Sequence, residues 1–133
     1  MEREYFKDLV RILSGEANLK AAYLFGSATG GKMRLDSDVD VAVWMEGPLD
    51  SQTKARLIER IASICLRPVD LLDLRKTDPV LLEEILRTGK TLIEPSVDVL
   101  ESLLQTIVRN EADFLPLLRR ARRERVEAFA SEG

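Results

Sequence analysis

Two apolar segments, separated by a glycine-rich connection, dominate the first third of the chain and constrain its fold most strongly. The first, Lys20–Phe25, is followed by a Gly-Ser dipeptide, and the second, Asp38–Trp44, begins with the triplet Asp-Val-Asp. Their residue types predict two β-strands joined by a turn and a loop. Because side chains alternate along a strand, Asp38 and Asp40 share one face, with Cα atoms about 6.6–6.8 Å apart. Two carboxylates at that spacing can converge on one metal ion.

The remaining periodicities predict that helices and strands alternate along the chain. The predicted elements are a helix over 2–13, a helix capped by Asp50 or Ser51, a strand over Val69–Leu74, a helix capped by Asp78 and closed by Gly89, a strand over Lys90–Glu94, and a helix that begins at Ser96 and breaks at Pro116. The predicted buried faces are Ala55, Ile58, Ile61, Ala62 and Cys65 on the second helix, and Val97, Leu100, Leu104, Ile107 and Val108 on the last.

This order of elements predicts an α/β (α+β) fold, in which a mixed β-sheet of about four strands is flanked by helices. With 133 residues, the chain is long enough to form one compact domain with its own core. Within that domain we expect a sheet-bearing part over residues 1–95. A C-terminal helical extension, residues 96–133, is expected to pack on it.

Composition excludes several kinds of chemistry. The chain contains no histidine and a single cysteine, Cys65, which excludes Ser-His-Asp and Cys-His catalytic sites and a Cys/His zinc site. Cys65 lies in an apolar helical pattern, which is typical of a buried structural thiol. The net charge of −3 argues against direct nucleic-acid binding. We see no transmembrane segment and no signal pattern, and therefore expect a cytoplasmic protein without membrane contact.

A third carboxylate is available on the predicted strand Val69–Leu74. Mg²⁺ binds carboxylate and phosphate oxygens, and two ions that clamp a phosphoryl transfer usually need a further acid from a neighbouring strand. Asp70 and Asp73 have opposite parity, so at most one of them shares the face of Asp38 and Asp40. Position favours Asp70, because Asp73 lies nearer the end of the strand, but the sequence leaves both open.

The Gly26-Ser27 turn suits phosphate binding, since glycine lets the backbone approach closely and serine offers a hydroxyl and an N–H group. Taken alone, the dipeptide equally fits an ordinary tight turn. Lys32 and Arg34, in the following loop, are either phosphate-neutralising or ordinary loop cations. Together with the acid pair, the turn indicates metal-assisted phosphoryl transfer.

The chain carries a Gly-Ser pair, Gly26-Ser27, followed after ten residues by an Asp-x-Asp triplet with Asp38 and Asp40. This pattern resembles the signature of the minimal nucleotidyltransferases of the DNA-polymerase-β-like superfamily, in particular the short bacterial antitoxins paired with HEPN-domain toxins. The resemblance implies a nucleotidyltransferase fold and AMP transfer from ATP to a hydroxyl, such as a tyrosine, of a cognate HEPN toxin. It also implies that Gly26 and Ser27 hold the triphosphate and that Asp38, Asp40 and Asp70 bind two Mg²⁺ ions, or Mn²⁺. By the same resemblance, Asp70 helps to deprotonate the attacking hydroxyl.

Two alternatives remain open at this stage. A binding antitoxin with a weak or inactive site would use the apolar side of residues 97–108 and the five arginines of residues 117–133, which otherwise form a solvated helix face. A small-molecule nucleotidyltransferase of the aminoglycoside type would use the same acids. Many relatives carry arginines directly after Gly-Ser, whereas this chain has Ala-Thr-Gly-Gly there, so the resemblance supports triphosphate binding less strongly than metal binding.

Overall fold

A computed structural model describes residues 2–26 and 38–108 of the chain. The elements are α1 (Glu2–Ser14), β1 (Leu19–Phe25), β2 (Val39–Met45), α2 (Ser51–Cys65), β3 (Val69–Asp73), a 3₁₀ turn (Leu74–Lys76), α3 (Pro79–Thr88), β4 (Lys90–Ile93) and α4 (Val97–Val108). All four predicted strands are confirmed, each to within one residue. The predictions for Ser27, Lys32, Arg34, the break at Pro116 and the arginines of 117–133 lie outside the described residues.

The four strands form one mixed sheet in the order β3-β2-β1-β4. β2 and β3 are parallel, whereas β1 is antiparallel to both of its neighbours, β2 and β4. One edge of the sheet therefore carries the amino-terminal ends of β2, β3 and β4 together with the carboxyl-terminal end of β1. We call this edge the site edge, and the opposite one the far edge.

Helices cover both faces of the sheet. Alternate residues of β2, Val39, Val41 and Val43, are buried against α1 and α2, where Leu9 and Leu57 are fully covered. Ala42 faces the other way, into a core shared with residues of α3 and α4. The α4 residues of this core are Leu103, Leu104 and Ile107, and those of α3 are Leu82 and Ile85. α4 thus completes the same core as the sheet, while the division between residues 1–95 and 96–133 stays a prediction.

Two predicted helix faces are partly wrong. Ala55 is exposed, and the buried residues of α2 are Leu57 and Ile61, because the helix turns its larger apolar side chains to the sheet and burial free energy scales with apolar area. On α4, Val97 is 51 % exposed because it is the first residue of the helix, and Leu103 is buried instead.

Side-chain caps set the helix starts as predicted. The Asp50 carboxylate accepts the Thr53 N–H at 2.8 Å, and the Asp78 carboxylate accepts the N–H groups of Val80 and Leu81. Each such cap is worth about 1 kcal/mol. At the end of α3, a Cβ on Gly89 would lie 2.6 Å from the Ile85 carbonyl oxygen, so a larger residue there would force the backbone to shift. Within residues 2–26 and 38–108, no helix combines the length and apolar character needed to cross a bilayer.

A buried carboxylate ties the connection between α1 and β1 to α2. The Glu16 side chain is 7 % exposed, and its Oε1 accepts hydrogen bonds from Arg56 Nη1 and Arg60 Nη1, each at 2.6 Å. The hydrogen bond from Arg56 is the main cause that holds the pKa of Glu16 below its ordinary value, against the opposing effect of burial. The ionised form of Glu16 therefore stabilises the fold.

Glu16→Gln is expected to lower the free energy of unfolding at pH 7 by about 1–2 kcal/mol. This loss is smaller than for a fully buried ion pair, because both arginines are half exposed and water screens their charges. Since the folded-state pKa is lowered, the stabilisation is present above pH 4.5 and is lost as the pH falls from 4.5 through the folded-state pKa. Urea unfolding of both proteins between pH 7 and 3 measures this. Glu46→Gln, which breaks the exposed pair with Lys20, is the control and should change stability by less than about 0.5 kcal/mol.

Candidate active site

Strand pairing at the site edge brings two of the predicted acids side by side. Asp40 on β2 and Asp70 on β3 are direct partners in the parallel register, and Asp38 immediately precedes β2. Asp38 and Asp70 are exposed, whereas Asp40 is partly buried. Burial is the main cause that raises the pKa of Asp40 above its ordinary value, and the charges of Asp70 and Asp38 raise it further. The protein thus holds like charges together at this edge, an arrangement that a bound cation would relieve.

Asp73, the alternative third acid, lies elsewhere. It pairs with Val43, three positions along the register from Asp40 and Asp70, toward the far edge. Its carboxylate accepts the Arg75 N–H at 3.0 Å and its carbonyl accepts the Thr77 hydroxyl at 2.8 Å, so Asp73 caps the 3₁₀ turn after β3. The structure therefore groups Asp70, and not Asp73, with Asp40.

Gly26 lies against the Asp40 carboxylate at the end of β1. Its neighbour Phe25 pairs directly with Asp40, and Gly26 has a φ of +77°, a conformation that side-chain-bearing residues rarely adopt. A Cβ at this position would lie 2.3 Å from Asp40 Oδ2. The sequence indicated a glycine that lets a phosphate approach the backbone; the structure adds that this glycine makes room for the acid itself. Ser27 lies outside the described residues.

The oxygen donors at the site edge suit a hard cation held jointly with a nucleotide. Within the described ranges 2–26 and 38–108, no three acidic or thiol side chains are arranged to hold a metal ion by themselves. Mg²⁺ is usually bound by one or two carboxylates together with substrate phosphates and water. The paired carboxylates of Asp40 and Asp70 fit that mode of binding, with Asp38 beside them.

Three residues at the junction from α2 to β3, Cys65, Leu66 and Arg67, complete the description of the site edge. Cys65, predicted to be a buried structural thiol, is only partly buried, and this burial raises the pKa of its thiol to about 11. Leu66 was not singled out by the sequence, yet it has a φ of 55° and is 85 % exposed. Nη1 of Arg67 is buried and finds no hydrogen-bond partner within the part of the chain that the structure describes. No periodicity or motif in the sequence marks Leu66 or Arg67.

The part of the chain that contains the sheet and the acids matches a known family. The family described as "Polymerase beta, Nucleotidyltransferase" matches residues 7–98, which include all four strands and the three acids Asp38, Asp40 and Asp70. The chain belongs to this nucleotidyltransferase family. The predicted nucleotidyltransferase fold is thereby confirmed.

A protein of known activity is similar to this chain in sequence. The chain is 38 % identical over 74 residues to the protein adenylyltransferase MntA of Shewanella oneidensis, a match that covers 56 % of this chain and 53 % of that protein. The chain therefore spans about half the length of this relative. This similarity, together with the toxin-antitoxin structures described next, confirms the predicted resemblance to the antitoxins paired with HEPN toxins.

Two solved structures match over nearly the whole chain. One, of a tri-AMPylated Shewanella oneidensis HEPN toxin in complex with MNT antitoxin, has a TM-score of 0.63 at 27 % identity and covers 96 % of this chain and 99 % of the matched one. The other, of a toxin-antitoxin with AMP-PNP, has a TM-score of 0.61 at 26 % identity and covers 98 % of both chains.

Proposed function

We propose that this chain is a Mg²⁺-dependent protein adenylyltransferase that transfers AMP from ATP to a hydroxyl, such as a tyrosine, of a cognate HEPN toxin and acts as its antitoxin. The pairing of Asp40 with Asp70 next to Gly26, in a nucleotidyltransferase fold, is the observation that carries the proposal. Because ATP is the AMP donor, we place the reaction in the cytoplasm.

The similar proteins support three parts of the proposal: the kind of acceptor, the partner and the nucleotide donor. The relative MntA is a protein adenylyltransferase, which supports a protein as the acceptor of the nucleotide. The complex of an MNT antitoxin with a tri-AMPylated HEPN toxin supports a HEPN protein as that acceptor. The toxin-antitoxin structure with AMP-PNP, an ATP analogue, supports ATP as the donor.

The reaction needs little covalent chemistry from the protein. The acceptor hydroxyl oxygen attacks the α-phosphorus of ATP, a bond from that oxygen to phosphorus forms, and the bond to the leaving pyrophosphate breaks. We assign Asp70 to accept the hydroxyl proton, because it is exposed, pairs directly with Asp40 and has this role by the family resemblance. Gly26 and Ser27 hold the triphosphate in line with the acceptor, and this positioning adds to the electrostatic contribution of the acids and the ion.

Asp38 and Asp40, completed by Asp70, are the residues that would hold the magnesium. When bound, the ion neutralises negative charge on the phosphates, which is its usual contribution to phosphoryl transfer. The chain's part is to hold mutually repelling carboxylates in place before the ion arrives. The sheet does this, since Asp40 and Asp70 belong to hydrogen-bonded neighbouring strands.

The proposal is tested by co-expressing the chain with the cognate HEPN toxin that it requires, to be sought in the neighbouring reading frame, and measuring the intact mass of that toxin. Wild type and Asp73→Asn are expected to add AMP, because an asparagine can still cap the turn after β3. Asp70→Asn is expected to add none. Equal AMP addition by Asp70→Asn and Asp73→Asn would contradict the assigned site, and growth protection by Asp70→Asn without added AMP would identify a binding antitoxin.

Millimolar Mg²⁺ or Mn²⁺ is expected to raise the Tm of the wild-type chain by about 3–5 °C when the free ion exceeds its Kd roughly tenfold. The ion binds the folded site and relieves repulsion among its carboxylates. Asp38→Asn should lose most of this response, as followed by thermal melts with and without EDTA. Asp98→Asn, which removes an exposed acid in the first turn of α4, should keep it. Equal shifts in both variants would count against a metal site at Asp38.

A further inference from the structure

Leu66 has a backbone conformation that is unfavourable for leucine, and its side chain is not buried. It ends α2 in the left-handed region, with φ 55° and ψ 37°, where glycine is the usual residue. Its N–H donates to the Ala62 carbonyl at 2.8 Å, a backbone bond that any residue except proline could make. Its side chain is 85 % exposed, the largest value among the exposed large apolar residues of the described chain. The fold therefore gains nothing from a leucine side chain at this position.

The position of Leu66 relative to the acids is fixed by the backbone. The Val39 N–H, between Asp38 and Asp40, donates to the Pro68 carbonyl at 2.8 Å, which places the segment after α2 against the start of β2. Leu66 lies two residues before Pro68 and four before Asp70, so its Cα is at most about 14 Å from that of Asp70. Leu66 thus stands on the site edge of the sheet.

We propose that the Leu66 side chain is a docking contact for the protein acceptor, which inserts it into an apolar depression while its hydroxyl reaches the acids. A standard protein interface of about 800 Å² per partner extends roughly 16 Å from its centre. Asp40 and Asp70 have the parity of Ala42 and face the α3/α4 side of the sheet, whereas Leu66 ends α2 on the other side. An acceptor that approaches the site edge end-on, along the strands, spans both sides, and its association buries the exposed leucine. This inference rests on the proposed function, because only a macromolecular acceptor has a footprint of that size.

Two other exposed apolar residues provide matched controls. Val80 is 72 % exposed and Val97 is 51 % exposed. They lie at the starts of α3 and α4, which follow the carboxyl-terminal ends of β3 and β4 and so begin at the far edge. An acceptor centred on the site edge is not expected to need either of them.

The test measures how tightly wild type, Leu66→Asn and Val80→Asn bind the purified cognate HEPN toxin of the proposed function, in the absence of ATP. Asparagine tolerates the left-handed conformation, so Leu66→Asn should keep or raise the wild-type Tm. It should bind roughly tenfold more weakly, as expected for loss of an interface anchor. Val80→Asn should bind like wild type, and Leu66→Met, which keeps an apolar side chain, should retain most of the affinity.

Kinetics separate this inference from the proposed function. Leu66→Asn should raise the KM for the HEPN protein while its affinity for ATP stays that of the wild type. The docking contact is overturned if Leu66→Asn binds the HEPN protein as tightly as the wild type does. It is also overturned if Leu66→Asn and Val80→Asn lose affinity equally, or if the wild type does not bind. A wild-type chain that binds the HEPN protein through Leu66 but never adds AMP overturns the proposed reaction and leaves the docking contact standing.

Discussion

Asp40→Asn is expected to lower the rate of AMP transfer by a factor on the order of 10³ while leaving the protein at least as stable as the wild type. Asp40 is the most enclosed of the three acids, and burial with the charges of Asp70 and Asp38 raises its pKa. Asparagine keeps the shape and removes the charge, so repulsion in the metal-free protein decreases. A substitution that removes activity and keeps or gains stability is the behaviour expected of a residue retained for function.

The pH dependence of stability provides an independent check on Asp40. The pKa of Asp40 is raised in the folded state, so the ionised Asp40 lowers the stability of the metal-free fold. This loss of stability disappears as the pH falls through the raised pKa toward 3.8, the ordinary pKa, because Asp40 is then protonated in both the folded and the unfolded states. The stability difference between Asp40→Asn and wild type should therefore shrink on acidification in EDTA. Activity is measured as AMP added to the HEPN protein. A variant that is strongly destabilised, or that transfers AMP at the wild-type rate, would contradict this assignment.

Gly26→Ala is expected to lower the transfer rate by about 10²-fold, the cost of displacing a catalytic group by roughly 1 Å. The added methyl group would lie 2.3 Å from Asp40 Oδ2, so the carboxylate or the end of β1 must move. The positive φ of Gly26 adds about 1–2 kcal/mol of backbone strain. Transfer assays and thermal melts on the same preparation measure both effects.

Gly47→Ala separates the two causes. Gly47 also has a positive φ, +94°, but a Cβ there would meet nothing within 4 Å. Gly47→Ala should therefore lose about 1–2 kcal/mol of stability through backbone strain and keep its transfer rate. If both glycine variants lost activity equally, general destabilisation and not the contact with Asp40 would explain the loss.

Much of the fold could be predicted from local signals. The structure confirms three features that depend on only a few neighbouring residues. They are the alternation of side chains in β2, the start of α3 at Asp78-Pro79 and the end of α3 at Gly89. Helix faces were predicted less well. Whether Ala55 or Leu57 is buried depends on how α2 rotates against α1 and the sheet, which local periodicity does not determine.

In the candidate site, too, features set by neighbouring residues could be predicted, whereas features set by strand pairing could not. Parity along one strand places Asp38 and Asp40 on a common face, but the choice between Asp70 and Asp73 depends on the register between β2 and β3. The contact of Gly26 with Asp40 depends on the pairing of β1 with β2. The left-handed, exposed Leu66 has no sequence signal, because leucine ordinarily indicates burial and a helical interior.

Transfer from ATP labelled at either the α- or the γ-phosphate tests the central claim most directly. The wild-type chain, magnesium and the purified HEPN protein are incubated with each label, and the HEPN protein is then separated and counted. AMP transfer predicts that the α-label stays on the HEPN protein and that the γ-label leaves with pyrophosphate. Label from γ-labelled ATP on the HEPN protein, or no label from either form, would contradict the assignment of this chain as an adenylyltransferase.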